Sequence, residues 1–314
     1  RPRTPRQKTP WLARAALAAL VAALALCAAG AQAAHRALGG GGAQAAAAAV
    51  LLAAVAISAA ASALQRRAAL AASSAPPTTE ETTRVLVVSN GHGEDAIGAM
   101  LCAALRAAAP RTRLSALPLV GNGDAYRGVQ GLDGEEGCVD VIGPARAMPS
   151  GGFVYMDPSA LAADVKAGLA ELTAQQWRAA SEWSASSAGD ASKGRAAAVL
   201  VVGDVLPLLF ARWACAPLPY AFVGCAKSEH YVRDAARSEQ LRFPERGLEA
   251  LAAGGSGSVY LPWETALIGA ARCVAAMPRD AMTARRLAGT MPADWPGRVR
   301  ALGNPMMDLV EFGA

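Results

Sequence analysis

The fold is decided by the stretch Arg84-Val-Leu-Val-Val-Ser-Asn-Gly-His-Gly-Glu-Asp-Ala-Ile-Gly98. Its apolar run, Val85–Val88, predicts a buried strand, and the two glycines that flank His92 predict a turn. Glu94 and Asp95 follow where a helix should begin, because carboxylates are favoured in the first turn of a helix. A strand, a glycine turn and a helix start form the usual mouth of a ligand site in an open α/β sheet.

The same alternation of strands and helices continues along the chain. Further short apolar runs, each closed by glycine or proline, predict strands at Leu114–Val120, Val139–Ile142, Ala197–Val202, Tyr220–Val223 and Cys273–Met277. Amphipathic or capped segments predict helices over residues 94–109, 161–177 and 280–287, and one that follows the segment Val259–Glu264. This alternation predicts an α/β, Rossmann-like, doubly wound and mostly parallel sheet.

Polar side chains follow the predicted strands at the edge where ligands bind in such sheets. The strand ends carry His92, Asp124, Asp204 and Lys227. Because ligands sit at the carboxyl ends of parallel strands, this agreement predicts a site at that edge.

The first 79 residues differ from the rest of the chain and are predicted to be a leader with its linker. They contain two alanine-rich apolar stretches, Ala15–Ala34 and Ala43–Leu64, each close to the length that crosses a bilayer. Alanine inserts weakly into membranes, and the segment lacks acidic residues, as organellar transit segments do. A cleaved organellar leader is therefore favoured over a retained membrane anchor, and residues 80–314 are predicted to form the folded domain.

Charge and composition exclude several classes of site. The net charge of +5 comes from the leader, since its eight basic residues leave 22 basic against 25 acidic side chains, a formal −3, in residues 80–314. The body therefore lacks a nucleic-acid footprint. The six cysteines show no CxxC spacing, and none of the three histidines pairs with nearby cysteines. Buried free thiols are predicted, with no metal site.

The turn Gly91-His-Gly-Glu-Asp-Ala96 satisfies a relaxed dinucleotide fingerprint, but its acidic residues argue against a phosphate ligand. Glu94 and Asp95 would repel a phosphate at the positive helix terminus. They suit a neutral, hydroxyl-rich ligand or a role in proton transfer, with His92 as a candidate general base. The alternative is that both carboxylates only stabilise the helix and that His92 is an ordinary turn residue.

Later strand ends carry further candidates, each with two interpretations. Asp204 ends an apolar strand abruptly and is either a catalytic carboxylate or the cap of the next helix. Lys227 and Ser228 either hold an anionic group or face solvent.

Two predicted helix starts also carry candidate side chains. Trp263 and Glu264, after Pro262, are either a sugar-stacking pair or a helix start with a packed ring. Arg279 and Asp280 are predicted to be an ordinary helix start.

A set of motifs occurs in one order over residues 84–308. They are Ser89-Asn-Gly-His-Gly-Glu-Asp95, Leu117-Pro-Leu-Val-Gly121, Pro149-Ser-Gly-Gly-Phe153, Gly203-Asp204 with Pro207-Leu208, Phe222-Val-Gly224 with Lys227-Ser228, Leu261-Pro-Trp-Glu264, Arg279-Asp280 with Thr283-Ala284, and Gly303-Asn-Pro-Met-Met-Asp308. Together they resemble the lipid-A-disaccharide-synthase-related proteins of cyanobacteria, plants and algae.

The resemblance implies the amino-terminal, acceptor-side domain of a two-Rossmann-domain (GT-B) glycosyltransferase. Such an enzyme moves a hexosyl group from a UDP-sugar to a lipid-linked or glycolipid acceptor, without a metal or other cofactor. It implies Asp204 or His92 as the catalytic base, although His92 departs from the synthase pattern. The substrate-binding residues are predicted to be Gly91, Gly93, Glu94, Asp95, Ser150, Gly151, Gly152, Lys227, Ser228, Trp263 and Glu264.

The resemblance also carries expectations about the rest of the protein. In such enzymes the segment Gly303–Asp308 leads into a sugar-nucleotide domain that this sequence does not contain, so the chain is expected to be inactive alone. Plastid location and contact with a membrane surface are expected. The alternative function is a non-catalytic module that binds a carbohydrate or a lipid headgroup.

Overall fold

The computed structural model describes residues 83–129, 139–149, 151, 163–164, 166–185, 195–232, 258–292 and 295–306. The predicted leader lies outside these residues. No helix among the described ranges has the length and apolar character that a bilayer crossing requires.

The described residues form one six-stranded sheet in which every pairing is parallel. The strands are β1 (Thr83–Ser89), β2 (Arg113–Pro118), β3 (Val139–Val141), β4 (Arg195–Val202), β5 (Tyr220–Gly224) and β6 (Cys273–Pro278). Their order across the sheet is β3-β2-β1-β4-β5-β6, the order of a Rossmann fold. The predicted Rossmann-like fold is confirmed.

Helices connect the strands and cover the sheet. They are α1 (His92–Ala108), α2 (Asp124–Arg127), α3 (Leu169–Ala185), α4 (Val205–Leu209), α5 (Glu229–Val232), α6 (Pro262–Ile268) and α7 (Ala281–Thr290). A π-helical segment, Phe210–Ala214, continues α4, and a 3-10 turn, Pro296–Arg298, follows α7.

The core lies on both faces of the central strands. Leu86 and Val88 of β1 pack into the cluster on one face, and Val87 packs into the cluster on the other. Because both faces of a parallel sheet are covered, its strands are continuous apolar runs rather than alternating ones. This burial explains why the strands could be located from sequence.

Helix α1 packs against one of the two core clusters. Ile97, Ala99 and Cys102 are buried in that cluster, and Leu101 and Leu105 pack half-buried against it. Gly98 is also buried, and a Cβ atom on it would meet the hydroxyl of Tyr126, so the helix passes close to α2.

One predicted boundary was wrong. The helix expected over residues 161–177 is interrupted at Gly168, whose φ of 90° is left-handed, and α3 begins one residue later and runs to Ala185. Near the end of α3, Ser184 is buried and donates to the carbonyl of Ala214.

Candidate functional site

The strand order reverses between β1 and β4, and the candidate site lies at that point. From β1 the chain continues toward β2 and β3, whereas from β4 it continues toward β5 and β6. Ligands of open α/β sheets bind at such a switch point. We call the residues gathered there the switch-point cluster, and they are Asn90, Gly91, Glu94, Gly203 and Asp204.

Two glycines with left-handed backbone let neighbouring atoms pack directly against the main chain of the cluster. Gly91 has a φ of 111° and Gly203 a φ of 118°. A Cβ atom on Gly203 would lie 2.9 Å from Cγ of Glu94, so the Glu94 side chain packs directly over that glycine. A Cβ on Gly91 would lie 2.8 Å from the carbonyl oxygen of Gly151. The predicted glycine turn at Gly91 therefore lies against Gly151, which belongs to the motif Pro149-Ser-Gly-Gly-Phe153.

The Asp204 carboxylate is buried, with 6% of the residue exposed, and both of its oxygens accept hydrogen bonds. Oδ1 accepts from the backbone N–H of Leu206 at 2.9 Å, which makes Asp204 the cap of α4. Oδ2 accepts from Nδ2 of Asn90 at 3.1 Å. The capping interpretation is correct, and the same side chain also belongs to the switch-point cluster.

Asn90 was not predicted as a site residue. Its amide is 5% exposed, and Oδ1 accepts no hydrogen bond from any residue in the described part of the chain. A buried amide carbonyl without a donor is unfavourable by about 1–3 kcal/mol. The only signal in the sequence is a polar residue directly after Ser89 at the end of an apolar strand.

Glu94 is half-buried in the first turn of α1. Burial raises the pKa of its carboxyl group from 4.5 to about 6, the negative charges of Asp204 and Asp95 add to this, and its own backbone N–H opposes it. A carboxyl group with a pKa near 6 can exchange a proton close to neutral pH. Glu94 is therefore the residue of the cluster best suited to proton transfer.

The neighbouring carboxylate, Asp95, points the other way. It is 2% exposed, and its Oδ1 accepts from the Ser89 hydroxyl at 2.5 Å. The hydroxyls of Ser89 and Tyr126 lie 2.7 Å apart, and a Cβ on Gly121 would lie 1.9 Å from Asp95 Oδ2. Burial also raises the pKa of Tyr126 well above its ordinary value. This buried network joins α1 to β1 and α2, so Asp95 lies inside the protein rather than at the cluster.

Lys227 and Glu264 form a partly buried ion pair that joins the loop after β5 to α6. Nζ of Lys227 lies 2.5 Å from Oε2 of Glu264, which also accepts from the backbone N–H of Leu261 at 2.8 Å. Burial raises the pKa of Glu264, the charge of Asp204 contributes, and the ammonium group of Lys227 opposes this shift without cancelling it. The Lys227 ammonium group thus already has a carboxylate partner.

Ser228 belongs to a capping network at the start of α7. Its hydroxyl donates to Asp280 Oδ2 at 2.8 Å, and Asp280 Oδ1 accepts from the backbone N–H of Thr283 at 2.8 Å. His230 Nε2 also lies 3.9 Å from Asp280 Oδ1. The prediction of an ordinary helix start at Asp280 is confirmed.

The remaining predicted site residues are not among those that the structure joins by hydrogen bonds in the cluster, or they lie outside the described ranges. Trp263 is half-buried on α6, and Gly93 is exposed in the first turn of α1. His92 begins α1, but its side chain lies outside the described part, as do Ser150 and Gly152. Asp124 is exposed and pairs with Arg127 at 2.8 Å, away from the cluster's hydrogen bonds.

The switch-point cluster is rich in acceptors. Two carboxylates and an amide oxygen lie beside Gly91 and Gly203, and the described residues contain no group of three or more His, Cys, Asp or Glu side chains arranged to hold a metal ion. Such a set of atoms suits ligand groups that donate hydrogen bonds, such as hydroxyls. Comparisons with protein-family models, with curated proteins and with solved structures found no match.

Proposed function

We propose that the chain is the acceptor-side part of a lipid-A-disaccharide-synthase-like glycosyltransferase of the GT-B type. The reaction would transfer a hexosyl group from a UDP-sugar to a lipid-linked or glycolipid acceptor. The ordered motifs of residues 84–308 support this proposal, and so does the Rossmann-like sheet. The donor is expected to bind mainly outside the described residues, on a sugar-nucleotide domain.

The observation that carries the proposal is the acceptor-rich character of the switch-point cluster. A sugar acceptor presents several hydroxyl donors, which match the carboxylates of Glu94 and Asp204 and the Asn90 oxygen that no described residue donates to. A diphosphate would instead be repelled by two carboxylates at the start of α1 and the end of β4. The cluster therefore fits the acceptor of the reaction better than the nucleotide donor.

Asp204 and His92 are the candidate bases that the family resemblance implies. An inverting transfer needs one base to remove the proton of the acceptor hydroxyl while the diphosphate leaves. The glycine loops at Gly91 and Gly151 would shape the acceptor pocket. Assay of an enzyme that carries both halves, with Asp204→Asn and His92→Ala, tests these roles, and undiminished turnover in both variants would remove them from the mechanism.

A binding experiment on this chain tests whether the cluster binds the sugar acceptor rather than the nucleotide donor. Methyl β-D-glucopyranoside and UDP would each be titrated into the 15N-labelled protein, and amide shifts recorded. The proposal expects the glycoside to shift amides around Asn90, Glu94 and Asp204, and UDP to leave them unchanged. Binding of UDP at these residues without binding of the glycoside would refute it.

A second candidate function is a non-catalytic module that binds a carbohydrate or a lipid headgroup. The observation in its favour is that both oxygens of Asp204 already accept hydrogen bonds, one of them as a helix cap. Glycoside binding to this chain, combined with no transfer by the protein that carries both halves, would favour this module over the enzyme.

We also propose that the protein acts at a plastid membrane surface after removal of its leader. The acid-free, alanine-rich residues 1–79 support this. Mass spectrometry of the mature protein should place its amino terminus near Leu70. A mature protein that keeps Ala15–Ala34 would instead indicate a retained anchor.

A further inference from the structure

The orientation of the Asn90 amide is fixed by its neighbour. Nδ2 donates to Asp204 Oδ2 at 3.1 Å, and rotation of the amide would bring its oxygen against that carboxylate. Oδ1 is therefore held on the other side of the group, buried, and without a donor in the described part of the chain. An acceptor fixed in this way next to two carboxylates is matched by a ligand that brings its own donor.

The Glu94 carboxylate is the more accessible of the two acids. Glu94 is half-buried, whereas Asp204 is buried with both oxygens engaged. An interaction with its own backbone N–H stabilises the ionised form of the Glu94 carboxylate and lowers its pKa. Oε2 of Glu94 lies 3.3 Å from the position of a Cβ on Gly91, so the carboxylate stands beside the glycine turn.

The charged and titratable groups that face Glu94 come from three elements. Asp95 lies on α1 with it, Asp204 lies at the end of β4, and the Cys225 thiol follows β5. Arg279, after β6, acts on that thiol. The carboxylates dominate this environment, and a proton on Glu94 relieves their repulsion.

We propose that Glu94 and Asn90 bind two hydroxyl groups of one sugar acceptor, and that the Glu94 carboxylate takes the proton of the reacting hydroxyl. This inference rests on the proposed function for its ligand class, and it gives Asp204 the role of positioning Asn90. In the transfer step, the acceptor oxygen bonds to the anomeric carbon as its proton passes to Glu94. The bond from that carbon to the diphosphate breaks, and its electron pair leaves with the diphosphate.

The proposal predicts sugar binding that depends on the ionisation of Glu94. With a pKa of about 6, roughly one tenth of the Glu94 side chains are ionised at pH 5 and nearly all at pH 7.5. If the ionised form is the one that accepts the hydroxyl, the apparent affinity at pH 7.5 is about tenfold higher than at pH 5.

The experiment titrates methyl β-D-glucopyranoside into the full chain at pH 5 and pH 7.5 and follows amide shifts by NMR. The wild-type protein and the Glu182→Gln control, which changes an exposed carboxylate on α3, should both show the five- to tenfold difference. Glu94→Gln should bind with little dependence on pH, and Asn90→Ala should bind at least tenfold more weakly at both pH values. Circular dichroism of each variant checks folding.

The outcomes separate this inference from the function on which it rests. Sugar binding at these residues with the same affinity at both pH values, or a pH dependence that survives in Glu94→Gln, overturns the inference and leaves the proposed function standing. Absence of glycoside binding by the wild-type protein at either pH overturns both. If Glu94→Gln fails to fold, two measurements on the wild-type protein still decide: the pH dependence of its glycoside affinity, and the titration midpoint of the Glu94 carboxyl signal in 13C NMR. A midpoint below 5 overturns the inference.

Discussion

Replacement of Glu94 by Gln should change the free energy of unfolding in a way that depends on pH. The variant should gain stability relative to the wild type as the pH rises from acid to neutral. The pKa of Glu94 is about 6 in the folded protein against 4.5 for the ordinary carboxyl group, so the folded state binds the proton more tightly. A raised pKa contributes stability that is present below pH 4.5 and is lost as the pH rises through 6. The loss approaches about 2 kcal/mol above pH 7, since each unit of pKa difference corresponds to about 1.4 kcal/mol.

The same linkage gives the size of the effect at each pH. The wild-type protein should already have lost about 0.8 kcal/mol at pH 5 and about 2 kcal/mol at pH 7.5. Glutamine carries no titrating proton, so the stability of Glu94→Gln minus that of the wild type should grow by about 1.2 kcal/mol between these pH values. Urea unfolding followed by tryptophan fluorescence measures it, with Glu182→Gln, an exposed position on α3, as the control.

A stability difference that stays constant from pH 5 to pH 7.5, or that shrinks, would refute this reasoning. Such a result would mean that the folded environment does not disfavour the ionised carboxylate. The burial of Glu94 over Gly203 would then carry no electrostatic penalty. The pKa of Glu94 would be that of an exposed acid in the first turn of a helix.

Two further substitutions test the packing of α1 and the cap of α7. Gly98→Ala should destabilise the fold by about 1–3 kcal/mol, because its Cβ would lie 2.0 Å from the hydroxyl oxygen of the buried Tyr126. Gly93→Ala, on the same helix with no atom within 4 Å of the new Cβ, should be neutral or stabilise by up to about 1 kcal/mol in the same urea assay. Asp280→Ala should cost about 1–2 kcal/mol at neutral pH. Burial opposes the shift, but hydrogen bonds from Thr283 and Ser228 lower the Asp280 pKa, so this cost should fade as the pH drops below its usual 3.8.

The sequence was sufficient for the strands because their burial on both faces leaves a local signal. Runs such as Val85–Val88 and Tyr220–Val223 are apolar without interruption, and each lies in a strand of the sheet. Asp280 could also be identified as the start of a helix, since its carboxylate accepts from the backbone N–H and the hydroxyl of Thr283, only three residues along the chain. Local chemistry of this kind is visible in the sequence without knowledge of the fold.

Only part of the composition of the site could be predicted, because its contacts are distant in sequence or depend on helix phase. Asn90 and Asp204 are 114 positions apart and meet only because β1 and β4 are neighbours in the sheet. Glu94 and Asp95 are adjacent in sequence, yet successive residues of a helix point about 100° apart. One side chain therefore reaches the switch-point cluster and the other the buried network at Ser89.

The cluster contains two features that lower the stability of the fold, and this argues that it serves more than structure. A cap for α4 needs one oxygen of Asp204, which Leu206 already occupies. Asn90 is nevertheless buried against the second oxygen, and its own side-chain carbonyl accepts no hydrogen bond from a described residue. Glu94 is buried where its ionised form is disfavoured. A side chain at position 90 that donates to Asp204 but has no unpaired carbonyl, and a less buried acid at position 94, would avoid both penalties. Natural proteins retain such local penalties where activity requires them, and here both fall at the switch point where the fold places its ligand.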